Sequence, residues 1–161
     1  MIPMNPGLNL VPIATEAIRD VLATGFKVRP VPVPLDEIPE ASGHGAWMTS
    51  SVNLEGKESR GFVHLEISES LLDRLDESLA DSRHDSSTRD SDLADLAGEL
   101  CNMVAGRIGA GLAATGLLFT MNTPVVLRGR RRETDPGAGP RSSQTGWTVG
   151  GGALILTDRI P

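Results

Sequence analysis

Residues 98–106 read GELCNMVAG, and within them Glu99, Asn102 and Gly106 fall at intervals of three and four. Residues spaced this way are neighbours on one face of a helix. A carboxylate and a carboxamide one turn apart would therefore share a surface with a position that carries no side chain. Asp95, four residues before Glu99, extends the same line. A carboxylate anchors a cation through charge-assisted hydrogen bonds. An amide both donates and accepts, so it can hold a water in one orientation. By spacing alone the strip also fits an ordinary solvated helix face, and an E-x-x-N pair is a weak motif.

The helix that must carry these residues is expected from about Asp92 to Thr115, with Gly116 as its stop. At about 100° per residue, Leu93, Leu96, Leu100, Met103, Val104 and Ile108 form one broad apolar face. Asp92, Asp95, Glu99, Asn102 and Gly106 gather on the other side. A glycine inside a helix costs about 1 kcal/mol against alanine. At 106 the missing side chain leaves a flat place beside Asn102 where another surface can approach. Gly98, Gly109 and Gly111 are expected to permit close packing of helix on sheet or helix. Cys101 points away from the strip and reads as a small buried hydrophobe.

Around this helix the chain alternates irregularly. Residues 10–24 have the apolar spacing of an amphipathic helix, with Pro12 in its first turn and Gly25 as its stop. Prolines at 30, 32 and 34 make 29–40 an extended edge or a long connection. Residues 46–54 and 60–68 read as two strands of a hairpin, and 69–80 as a short helix. The polar run 81–91 is expected to be a loop. Residues 117–129 read as a strand region, 130–146 as an exposed connection, and 147–158 as one last strand bent or bulged at its three glycines. This order predicts an α+β fold with a largely antiparallel sheet.

The whole chain, 1–161, is expected to be one domain. Its net charge of −6 argues against a general nucleic-acid binder, and 3% aromatics with no tyrosine argue against stacking platforms. A single cysteine allows no internal disulfide and fits a reducing compartment. The start, MIPMNPGLNLVPI, lacks the basic onset of a secretion signal. The uncharged run Ile108–Leu127 is interrupted by Thr115, Gly116, Thr120, Asn122, Thr123 and Pro124, which breaks it into a helix end and a strand rather than a membrane span.

Other clusters are weaker. Arg128, Arg130, Arg131 and Arg132 could face a phosphate or a nucleic acid, but in an acidic chain they read as a solvated loop. His44, His64 and His84 show no metal spacing. The run VGGGA at 149–153 lacks the lysine and helix of a phosphate-binding loop.

The segment DLADLAGELCNMVAGRIGAGL, followed by NTPVVLRG, resembles the CheC/CheX/FliY family of chemotaxis phosphatases. That family has a helix E-L-x-N-M-x-x-G, here Glu99, Leu100, Asn102, Met103 and Gly106. It follows with T-P-x-V-x-x-G, here Thr123, Pro124, Val126 and Gly129. The resemblance spans about residues 8–158 and implies a CheC-like fold. It also implies a cytoplasmic phosphatase acting on the aspartyl phosphate of a phosphorylated CheY-type response regulator. Asn102 and Glu99 would be the catalytic pair: Asn102 would orient the attacking water, and Glu99 would dock on the partner's lysine. Asp95, Glu99, Asn102 and Gly106 would form the partner-binding strip. The chain would need no cofactor of its own, because Mg²⁺ belongs to the regulator, and it would form a homodimer joined by sheet edges. Relatives of the CheC type carry a second motif in the first helix. Here Glu16 is followed three residues later by Arg19, so the resemblance is to the single-site CheX arrangement.

Overall fold

The computed structural model describes residues 9–38, 46–57, 59–79, 87–129 and 143–160. The expectations for the N-terminal eight residues, the end of the proline-rich segment (39–45), most of the polar loop (81–86), His44, His84 and Arg130–Arg132 lie outside these residues.

Helix α1 spans Leu10–Phe26 and begins where Asn9 Oδ1 accepts from the Val11 amide at 3.2 Å. It buries Ala14, Ala17, Ile18, Val21, Leu22 and Phe26. It runs through Gly25 rather than stopping there. The left-handed residue that ends it is Lys27, with φ 59°, whose amide reaches Leu22 O. A Cβ at Gly25 would stand 3.4 Å from Met103 Cε, an ordinary contact distance.

Strand β1 (Val31–Val33) pairs with β6 at the sheet's edge, where Pro32 withholds no needed donor. A 3-10 turn over Leu35–Glu37 follows. Strands β2 (Trp47–Gly56) and β3 (Arg60–Ser68) form the expected hairpin, in register from Trp47↔Ser68 to Glu55↔Arg60. Helix α2 (Glu69–Ser78) starts at Ser68, whose hydroxyl accepts from the Leu71 amide at 3.3 Å.

Helix α3 runs from Arg89 to Ala113, starting three residues before the expected Asp92. Gly116, at φ +89°, closes it as expected. Its amide donates to Ala113 O, and the Leu117 amide reaches back to Leu112 O, which together satisfy the last carbonyls. The 117–129 region divides into β4 (Phe119–Met121) and β5 (Val125–Gly129), both antiparallel to β2.

The C-terminal region corrects the sequence reading. Residues 143–146 belong to β6 (Ser143–Val149), and 147–158 is not one kinked strand. The chain turns at Gly150 and Gly151 and returns as β7 (Gly152–Arg159). Two consecutive positive φ values, 50° and 91°, make the tight turn whose twist suits a two-residue hairpin. A run of three glycines marks a turn as readily as a bulge, and here the turn wins because β7 has β3 as a second partner.

The described strands form an antiparallel sheet in the order β1-β6-β7-β3-β2-β4, with β5 also on β2. This is the α+β architecture expected. All three helices cover one face, where Val52, Leu54, Val63, Leu65, Ile67, Leu154 and Leu156 meet them in the main core. Among the described residues, the other face carries a small cluster of Ile38, Trp47, Ala153 and Ile155.

One charged group lies under the helix side. Asp158 is 1% exposed and accepts from Ser143 Oγ at 2.9 Å, while its Oδ2 makes no hydrogen bond. Burial raises its pKa, with the Ser143 hydrogen bond opposing in part. The folded form therefore binds the proton more tightly than the unfolded chain. Stability rises as pH falls through the folded pKa towards the unfolded value near about 4. Asp158→Asn is expected to raise Tm at pH 7 by about 3 °C, corresponding to about 1 kcal/mol, and to flatten the acid-side gain. Thermal melts between pH 5 and pH 8 check this; equal slopes in the two proteins would contradict it.

Candidate functional site

Helix α3 divides as the wheel requires. Leu93, Leu96, Leu100, Val104 and Ile108 are buried, together with Ala97, Cys101, Ala105 and Leu112. Met103, assigned to the core stripe, is half-buried and packs against α1 at Gly25. On the opposite side Asp95 and Glu99 are exposed, and Asn102 and Gly106 are half-buried. Asp92, which the wheel grouped with them, is half-buried in the first turn, where an acid favours the helix N-terminus.

The two flanks of the strip differ. Towards α1, Arg107 and Asp20 form a loose pair at 3.9 Å between side chains that are each about half exposed, which is worth little. Towards the sheet, the helix lies against the β4–β5 segment. A Cβ at Gly98 would meet Val126 Cγ2 at 3.4 Å and Pro124 Cβ at 3.9 Å. These are ordinary contact distances, so Gly98 is buried against the sheet, but the close approach expected of it does not require a glycine. Gly111 serves helix-on-helix packing, since a Cβ there would come to 2.8 Å of Ile13 Cγ2. Gly109 has no such role: nothing lies within 4 Å of its would-be Cβ.

Gly106 is open. The nearest atom to its would-be Cβ is Met121 Cε, at an ordinary 3.9 Å. Nothing inside the fold requires a glycine there. Gly106→Ala is accordingly expected to stabilise the protein by about 1 kcal/mol through helix propensity, read as a higher urea midpoint with an unchanged slope. A lower midpoint would mean that the fold itself needs this glycine.

Cys101 confirms which way the helix faces. Its thiol donates to Ser50 O at 3.5 Å in the core, and burial pushes its pKa up to about 11. A thiol held protonated and 0% exposed is no nucleophile, although it lies inside the motif. Arg128 is also committed elsewhere. Its Nε donates to Glu69 at 2.5 Å and its NH1 to Asp90 at 2.7 Å. Arg89 joins the same group loosely, through Glu69 at 3.9 Å and Asp90 at 3.8 Å, and donates to both oxygens of Asp73 at 2.8 and 2.7 Å. This network ties the starts of α2 and α3 to the end of β5, so Arg128 faces carboxylates rather than an open phosphate site. Sequence spacing could not show it, because its members come from three separate segments, α2, α3 and β5.

Among the described residues, no group of three or more His, Cys, Asp or Glu could hold a metal ion. No helix among them is long and apolar enough to cross a membrane. His64 stands on β3 beside Phe62, with ring centroids 4.4 Å apart.

Comparison with known proteins bears on the fold and the family. Curated protein sequences give no significant match. Among solved structures, the chemotaxis protein CheX from Vibrio vulnificus aligns with a TM-score of 0.79 at 19% identity, covering 98% of this chain and 100% of that one. A CheC-like superfamily protein from Shewanella sp. PV-4 aligns at 0.76 and 17% identity, over 96% and 99%. The CheX–CheY–BeF₃–Mg²⁺ complex from Borrelia burgdorferi aligns at 0.71 and 15% identity, over 96% and 99%. These similarities establish the fold. The profile of the family described as Chemotaxis phosphatase CheX matches residues 48–144, more than half of the sequence and including all of α3. The chain therefore belongs to the CheX family of chemotaxis phosphatases.

Proposed function

We propose that the protein hydrolyses the aspartyl phosphate of a phosphorylated CheY-type response regulator, with one site per chain. The observation that carries this reading is the strip itself: Glu99 and Asn102 stand one turn apart on the solvent side of a rigid helix, with an open Gly106 beside them. In the reaction a water oxygen bonds to phosphorus as the P–O bond to the aspartate breaks. The carboxylate leaves, and the water's proton passes to the released inorganic phosphate. Such a transfer needs chiefly an in-line water and charge stabilisation. The Asn102 amide holds that water without placing a negative charge beside the phosphoryl group. Glu99 pairs with the regulator's lysine and fixes the approach, and Asp95 adds to the acidic side of the contact. The phosphatase contributes no metal. Mg²⁺ arrives with the regulator, a reading supported by the presence of Mg²⁺ in the CheX–CheY–BeF₃ complex from Borrelia burgdorferi.

In this reading the protein works in the cytoplasm, alongside its regulator, and as a homodimer joined at a sheet edge. The β5 edge, where Val125 and Leu127 are 57% and 66% exposed, supports the latter assignment. Sedimentation tests it directly, and a monomer at micromolar concentration would refute it.

The deciding experiment mixes the protein with each phosphorylated regulator of its own organism and Mg²⁺ and follows phosphate release. Acceleration that depends on Asn102 supports the proposal. Binding without acceleration would convert the reading to a docking module that has kept the fold, and neither binding nor acceleration would reduce the strip to solvated surface.

A further inference from the structure

The β4–β5 segment runs antiparallel to α3 along the flank of the strip. Met121 comes first and lies at Gly106; Pro124 and Val126 come last and lie at Gly98. Asn102 is midway between those two glycines, one turn from each. The residues level with it are therefore those of the bend between the strands, Asn122 to Pro124.

That bend is held in place. Asn122 Oδ1 accepts from the Asn53 amide at 2.8 Å, and the Asn122 amide donates to Asn53 O at 3.3 Å. A side chain thus continues the ladder to β2 where the strand is interrupted. Pro124 limits the backbone next to it. The two side chains left facing outwards are Met121, which is 41% exposed, and Thr123, which is also exposed. An exposed methionine beside an open glycine forms an adaptable apolar ledge. It meets the acidic strip along one seam, and Asn102 sits in that seam.

We infer that this bend is the second wall of the docking site, and that Met121 and Thr123 contact the phosphorylated response regulator alongside Glu99 and Asn102. The inference rests on the function proposed above and adds to it a specificity surface. Glu99 selects a cation on the partner. Met121 selects an apolar patch on the regulator next to the phosphorylated aspartate, and the Thr123 hydroxyl supplies a hydrogen bond to its rim. Both are positioning residues that act on encounter and dwell time, not on the reacting bond. A bend pinned to β2 loses little entropy when the partner settles on it, which favours recognition by a preformed surface.

The test uses the intact protein with the organism's CheY-type regulators, each activated by BeF₃⁻ and Mg²⁺ for binding and phosphorylated for turnover. Met121→Glu and Thr123→Ala are compared with wild type, and Val31→Glu, at the exposed opposite edge of the sheet, serves as the remote control. Met121→Glu is expected to weaken binding about tenfold and raise KM by the same factor, with kcat within about twofold. Thr123→Ala is expected to raise KM about threefold. Val31→Glu should change neither. Melting curves and sedimentation should be unaltered in all three.

If wild type binds and turns over but Met121→Glu and Thr123→Ala match it, the second wall is refuted while the phosphatase reading stands. A fall in kcat at constant KM, or a change of oligomeric state in place of weakened binding, also refutes it. If wild type binds no activated regulator, the proposed function and this inference fall together.

Discussion

Asn102→Ala is expected to slow phosphate release from the phosphorylated regulator about a hundredfold, while KM stays within about twofold of wild type. A group that positions the nucleophile acts only as the transition state forms, and its loss lowers kcat without touching ground-state affinity. Losses of a positioned donor or of near-attack geometry have this order of magnitude. The helix gives a reason to expect a clean result. Asn102 is half-buried on the solvent side of α3, whereas Cys101 and Val104, on the core side of the same turn, are fully buried. Truncation at 102 therefore opens no core cavity. Alanine is also the better helix former, so Tm should not fall. Asn102→Asp keeps the shape but brings a negative charge to a phosphoryl group, and its rate should stay as low as that of the alanine variant. A decrease of less than threefold in Asn102→Ala, measured with a regulator that the wild type dephosphorylates, would remove Asn102 from the mechanism.

The candidate site is legible in the sequence to the extent that it lies on one helix. Glu99, Asn102 and Gly106 are related by local spacing, and the apolar residues between them, Leu100, Val104 and Ile108, fix the orientation by burial. Cys101 could be placed in the core for the same reason. Local sequence does not encode what depends on pairing between distant segments. The β6–β7 hairpin was hidden because Gly150–Gly152 is compatible with a bulge until the chain's second partner is known. The stop of α1 at Lys27 was hidden because a lysine in left-handed geometry goes against local preference, and Gly25 offered itself as the obvious alternative. The Arg128–Glu69–Asp90 network and the approach of Met121 to Gly106 both follow from how β4 and β5 lie on β2, which no local pattern encodes. Met121, set among the polar Thr120, Asn122 and Thr123, keeps 41% of its surface exposed, which no local pattern reveals.

Glu99→Lys is expected to have the second large effect, and of the opposite kind. If Glu99 docks on a lysine of the regulator, reversing its charge replaces attraction with repulsion at the centre of the contact. Truncating one partner of a desolvated, hydrogen-bonded charge pair costs about 2 kcal/mol or more, which is about thirtyfold in affinity. Glu99→Ala should therefore raise KM about thirtyfold, and Glu99→Lys further still. At saturating regulator both should retain kcat within about threefold, because Asn102 still orients the water. Glu99 is exposed, so neither change should move Tm by more than a degree or two. The separation from Asn102 is the point of the experiment: one residue of the motif is expected to control KM and the other kcat, although they are a single turn apart. A double-mutant cycle with the regulator's active-site lysine changed to alanine identifies the partner. Coupling of about 2 kcal/mol between the two sites is expected, and it should shrink as salt is raised, to the extent that the pair remains reached by solvent. Strictly additive effects of the two substitutions would show that Glu99 meets something other than that lysine. A loss in kcat equal to that of Asn102→Ala would place Glu99 in the chemical step instead of in docking.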